Sequence, residues 1–120
     1  GPRRDRSGMT REEVEAIALG LPAATRVVQW GGADVYKVGG KVFAICGLAG
    51  GLSFKVTEIG FMVLTDEGGP GRQATYLAKG SWVIVDLDDA EAGEVAGWIA
   101  TSHDLIAGKL TRKARAELGL

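Results

Sequence analysis

Two glycine pairs, Gly31-Gly32 and Gly39-Gly40, cut the first half of the chain into short runs rich in β-branched and aromatic residues: Thr25 to Trp30, Asp34 to Val38 and Lys41 to Cys46. Paired glycines supply the positive φ angles that two-residue hairpin turns demand. The pattern predicts an antiparallel meander of three strands.

Beyond a looser turn at 47–51, Leu52-Ser53-Phe54-Lys55-Val56 alternates strictly between apolar and polar residues. Such alternation predicts a fourth strand with one wet face, on which Ser53 and Lys55 sit together. Ser81 to Leu87 reads as the fifth strand. Its unbroken apolar run Trp82-Val83-Ile84-Val85 predicts a central position covered on both faces.

Helices frame these strands. Thr10 followed by Glu13 forms a capping box, and Val14, Ile17, Ala18 and Leu21 recur at helical spacing until Gly20 and Pro22 stop the run, giving a helix over 10–20. Thr57 caps a short helix through Leu64, and 66–72 is expected as an exposed loop. Asp88 or Asp89 is expected to open the longest helix, with an apolar stripe of Val95, Trp98, Ile99, Leu105 and Ile106. Gly93 and Gly97 inside it each cost up to ~1 kcal/mol relative to alanine, which close packing against a neighbour would explain. Gly108 ends that helix, and Thr111 starts a last short one that stops at Gly119. The expected fold is α+β: an antiparallel sheet of about five strands covered by helices. Residues 1–8 carry no hydrophobic periodicity and read as a disordered leader or expression scar, leaving 9–120 as one domain.

The chemistry that the residues exclude is more definite than the chemistry they offer. Hydrophobic residues make up 46% of the chain and charged residues 24%, ordinary usage for a folded domain. No apolar run approaches the ~20 residues needed to cross a bilayer, so no membrane partner and a cytoplasmic location are expected. One cysteine, Cys46, excludes an intrachain disulfide and sits in an apolar stretch, where a buried inert thiol is expected. With one histidine and one cysteine the chain is poor in metal ligands, and no metal or other cofactor is expected. Ser102-His103-Asp104 has the composition of a triad, but neighbours on a helix point about 100° apart and cannot relay a proton among themselves. His103 is expected at the surface or rim. Gly68-Gly69-Pro70-Gly71-Arg72 lacks the lysine and hydroxyl of a phosphate-binding loop. No enzymatic activity is expected.

Net charge is −1, yet its distribution is uneven. Asp86, Asp88, Asp89, Glu91 and Glu94 form an acidic block. Lys41, Lys55 and Lys79 stand on or beside strands and turns, and Lys109, Arg112, Lys113 and Arg115 cluster near the C-terminus. These seven cations are candidate contacts to nucleic-acid phosphates. The alternative is a binding module that takes a small molecule or protein on a sheet face around Trp30, Tyr36 and Trp82.

Leu21-Pro22, the run 39–44, Ser53-Phe54-Lys55-Val56, the run 76–83 and the ending 102–111 together resemble the MmcQ/YjbR family of small bacterial proteins, over about residues 9 to 115. The resemblance implies a frataxin-like sheet covered by helices, also described as a double wing, and with it a DNA-binding role by analogy of fold. His103 stands where a tyrosine is usual, and Thr111-Arg112 replaces a Pro-Lys pair.

Overall fold

The computed structural model of the chain describes residues 9–29, 31–47, 51–74 and 81–120. The proposed leader 1–8, Trp30 and Lys79 lie outside these described residues.

Thr10 caps α1 (Arg11–Leu19) with the full reciprocal box: its hydroxyl accepts the Glu13 amide, and the Glu13 carboxylate accepts the Thr10 amide at 2.8 Å. The meander follows as β1 (Ala24–Gln29), β2 (Ala33–Val38) and β3 (Lys41–Cys46), with Gly31, Gly32, Gly39 and Gly40 all at positive φ in the two turns. Next come β4 (Gly51–Lys55), α2 (Glu58–Thr65), β5 (Gly71–Gln73), β6 (Trp82–Asp86), α3 (Ala92–Ala107) and α4 (Arg112–Leu118). All strand pairings are antiparallel, and the sheet order is β1-β2-β3-β4-β6-β5. The fold is thus α+β, with six strands among the described residues.

The sixth strand is β5, in the segment expected as open loop. Its three residues pair with Val83, Ile84 and Val85 of β6, so β6 acquires a neighbour on each side and Trp82 to Val85 are all buried. The sequence signal of β5 is weak because a three-residue edge strand carries too little periodicity to register. β4 also differs from expectation. Ser53 is buried along with its neighbours, so both faces of the strand are covered and no wet face exists at that position.

The long helix begins later than its acidic residues suggest. Leu87–Asp89 form a 3₁₀ turn, and α3 starts after Glu91, whose side chain makes no capping hydrogen bond. Gly97 is not kept for close packing: a Cβ there would meet nothing within 4 Å. Nothing in the structure explains it.

α1 and α3 cover one face of the sheet. The core between them contains Val14, Ala18, Tyr36, Val38, Phe43, Leu52, Phe54, Val83, Val95 and Ile99. Ala33, Val35 and Ile45 form a second, smaller buried cluster, which the alternation of side chains along β2 and β3 assigns to the opposite face. Cys46 is buried and free, and burial pushes its thiol pKa up to about 11, against the lowering effect of Arg11. A thiol so placed stays protonated at neutral pH.

Asp34, buried beneath α1, takes Arg11 at 3.1 Å and Arg26 at 3.7 Å, and Arg11 also donates to the Gly32 carbonyl at 2.6 Å. The first helix is thereby pinned to the β1–β2 hairpin. The neighbouring Tyr36 is less well served. Its ring is fully buried and its hydroxyl has no hydrogen-bond partner among the described residues. Burial, reinforced by the Asp34 charge, holds its pKa well above the ordinary tyrosine value. A buried hydroxyl left unpaired costs ~1–3 kcal/mol. Tyr36→Phe is therefore expected to stabilise the protein by roughly 1 kcal/mol in urea denaturation; a loss of stability would show that the hydroxyl is satisfied after all.

Candidate nucleic-acid interface

The register of β2 on β3 slips once. Tyr36 faces Ala44 and Lys37 faces Val42, which leaves Phe43 as an extra residue in a bulge. Both Phe43 and Ala44 join the helix-facing core. The β3–β4 ladder stops at Ala44 and Phe54, so the next backbone groups, the Phe43 carbonyl and the Lys55 amide, need another partner.

Ser102 of α3 supplies it. Its hydroxyl donates to the Phe43 carbonyl at 2.6 Å and accepts the Lys55 amide at 2.8 Å, with no exposure to solvent. One side chain thus closes the gap in the ladder and fixes α3 over the end of β4. Phe54 stacks on Trp98 one turn earlier on the same helix, with ring centroids 5.3 Å apart and planes at 10°.

This docking brings cations together. Lys55 is the last residue of β4 and Lys109 follows the C-terminus of α3. Lys55 has its pKa lowered, first by burial and then by the adjacent charge of Lys109. The Gly39-Gly40 turn lies against Leu110, whose Cδ1 would be 2.6 Å from a Cβ on Gly39. Lys41, at the exit of that turn, therefore belongs to the same end of the sheet, as does the start of α4 with Arg112 and Lys113.

The cations among the described residues divide into two sets. Arg11, Arg26 and Arg72 are paired with Asp34, Glu15 and Asp86. Among the described residues, no carboxylate lies within 4.0 Å of Lys37, which stands apart on β2, or of Lys41, Lys55, Lys109, Arg112, Lys113 or Arg115. Of the cations marked in the sequence, Lys55 and Lys109 lie close enough for the charge of one to lower the pKa of the other, and Lys41, Arg112 and Lys113 stand at the same end of the sheet, beside the Gly39–Leu110 contact. Arg115 faces instead a cavity lined by His103.

The aromatic alternative has a different outcome. Tyr36 is fully buried and Trp82 is 8% exposed, both within the main core cluster; neither presents a ring to a ligand. His103 is also a core residue, not a rim residue. It is 3% exposed, packs edge-on against Phe43 at 5.2 Å, and holds the Pro22 carbonyl at 2.8 Å. Ser102, His103 and Asp104 accordingly turn to separate surroundings: the sheet, the α1–β1 turn and solvent. Among the described residues no three His, Cys, Asp or Glu side chains are grouped to hold a metal ion, and no helix is long and apolar enough to cross a membrane.

The described residues thus form an antiparallel sheet with helices packed on it and a cationic corner that no carboxylate neutralises. The particular family is identified by sequence: the YjbR family profile matches residues 19–105, and the chain belongs to that family. No curated protein matches the chain.

Proposed function

We propose that this protein binds the phosphate backbone of DNA without catalysing a reaction, as a double-wing, cytoplasmic member of its family. The observation that supports this reading most is the Lys55–Lys109 pair. Two like charges held together with no carboxylate between them destabilise each other, and an anion placed there relieves the repulsion. Lys41, Arg112 and Lys113 add positive charge at the same end of the sheet, as a phosphate-backbone contact requires. No base-reading side chain is assigned, so affinity is expected to depend weakly on sequence.

Fluorescence anisotropy with a labelled duplex at several salt concentrations tests the reading. With three or four phosphates neutralised, the log–log slope of affinity against salt is about −3. A flat salt response, or no binding at low salt, would contradict it and favour a protein or small-molecule partner.

A further inference from the structure

A cavity of about 420 Å³ opens between the α1–β1 turn, the C-terminal half of α3, and α4. Its volume falls within the range of small-molecule pockets. Ala100, Ala107 and Gly108 keep the α3 wall low, while Leu21, Pro22 and Leu120 make the rest largely apolar. Its charged or titratable groups are Asp104, His103 and Arg115.

His103 Nε2 sits 2.8 Å from the Pro22 carbonyl. A carbonyl only accepts, so Nε2 carries the proton and, in the neutral ring, Nδ1 presents a lone pair. Nδ1 has no hydrogen-bond partner among the described residues, and Asp104 Oδ1 stands 3.9 Å from it. The imidazole is thus almost wholly buried, half satisfied, and part of the cavity wall.

Asp104 is locally misplaced. It lies in the last turn of a 16-residue helix that has no basic residue in that turn, where the helix dipole disfavours negative charge. Its side chain is 88% exposed and ion-paired to no Lys or Arg among the described residues. The opposing turn is strained: Ala23 takes φ +60°, the only positive φ at a described residue other than glycine. Such a conformation costs an L-residue roughly 1–2 kcal/mol, and it is held beside the Pro22–His103 contact. Local conflicts of charge and backbone that survive together tend to mark sites.

We propose that this cavity binds a small zwitterion with an aliphatic body, an aliphatic α-amino acid. The ammonium group reaches the Asp104 carboxylate and the Nδ1 lone pair of His103. The carboxylate reaches the guanidinium of Arg115, and the hydrocarbon side chain lies against Leu21, Pro22, Ala107 and Leu120. A carboxylate and a guanidinium lining one largely apolar pocket favour a dipolar ligand over either ion alone.

The test is an NMR titration of the ¹⁵N-labelled protein with L-leucine, alongside 4-methylpentanoate, which has a similar hydrocarbon body and no ammonium. Leucine is expected to shift the amides of Leu21, Ala107 and Arg115 saturably, and the acid to bind about tenfold more weakly or worse. Asp104→Asn, at an exposed position, should fold normally and weaken leucine by about tenfold. Arg115→Gln should also weaken it. The absence of shifts around the cavity at roughly 20 mM leucine, well above a weak millimolar affinity, would overturn the proposal. So would an Asp104→Asn variant that binds leucine as the parent does. The duplex titration is independent of both results, because Asp104 contributes nothing to the cationic corner.

Discussion

Ser102→Ala is expected to lower the free energy of unfolding by roughly 3 kcal/mol, because two buried backbone groups, the Lys55 amide and the Phe43 carbonyl, lose their partner and each unpaired group costs ~1–3 kcal/mol. Truncating a surface serine of a helix would change stability by no more than about 0.5 kcal/mol. Thr101→Ala, on the exposed side of the same helix turn, supplies that baseline in the same urea series. A loss under about 1 kcal/mol at Ser102 would mean that the bulge re-pairs without the hydroxyl.

The second large effect is on binding. Lys55→Gln with Lys109→Gln is expected to weaken duplex affinity by at least about 100-fold at low salt, taking each charge-assisted phosphate contact at ~1.5–3 kcal/mol, and to flatten the salt slope by about 2. Arg72→Gln is the matched control. Arg72 is exposed on the edge strand β5 and already pairs with Asp86 of β6, so its loss should alter affinity by no more than about twofold. Equal losses in the double variant and the control would show diffuse charge at work rather than a defined corner.

Much of the fold is legible because its signals are local. The capping box at Thr10 and Glu13 and the glycine turns at 31–32 and 39–40 each depend on residues within four positions of one another. The errors fall where a distant partner decides. Ser53 looks polar and solvated in its own strand, yet neighbouring elements cover it. Asp88 has the character of a helix cap, but the chain makes a 3₁₀ turn there and the helix begins at Ala92.

The candidate site shows the same division. Lys55 and Lys109 are visible as cations in the sequence, and nothing in their separation of 54 positions says that they meet. Their proximity depends on the bulge at Phe43 and on Ser102, which stands out in the sequence first as part of a misleading Ser-His-Asp run. A serine on the inward stripe of an otherwise apolar helix could have been flagged: a buried hydroxyl must find a partner. The half-satisfied His103 imidazole, by contrast, could not have been foreseen, since its partner is the carbonyl of Pro22, across the fold.

The pH behaviour of the lysine pair follows from the direction of its shift. Burial and Lys109 lower the pKa of Lys55 in the free protein. A bound phosphate favours the charged ammonium and raises that pKa. Between the free and bound values the complex takes up a proton, so affinity falls as pH rises through that window, beginning below the usual lysine range. Side-chain NMR of lysine-labelled protein, titrated with base with and without a short duplex, reads this directly at Lys55. The expected result is a Lys55 pKa below that of the exposed lysines in the free protein and a clear rise on adding duplex. An unchanged Lys55 titration in the presence of saturating duplex would contradict the assignment of the cationic corner as the phosphate-binding surface.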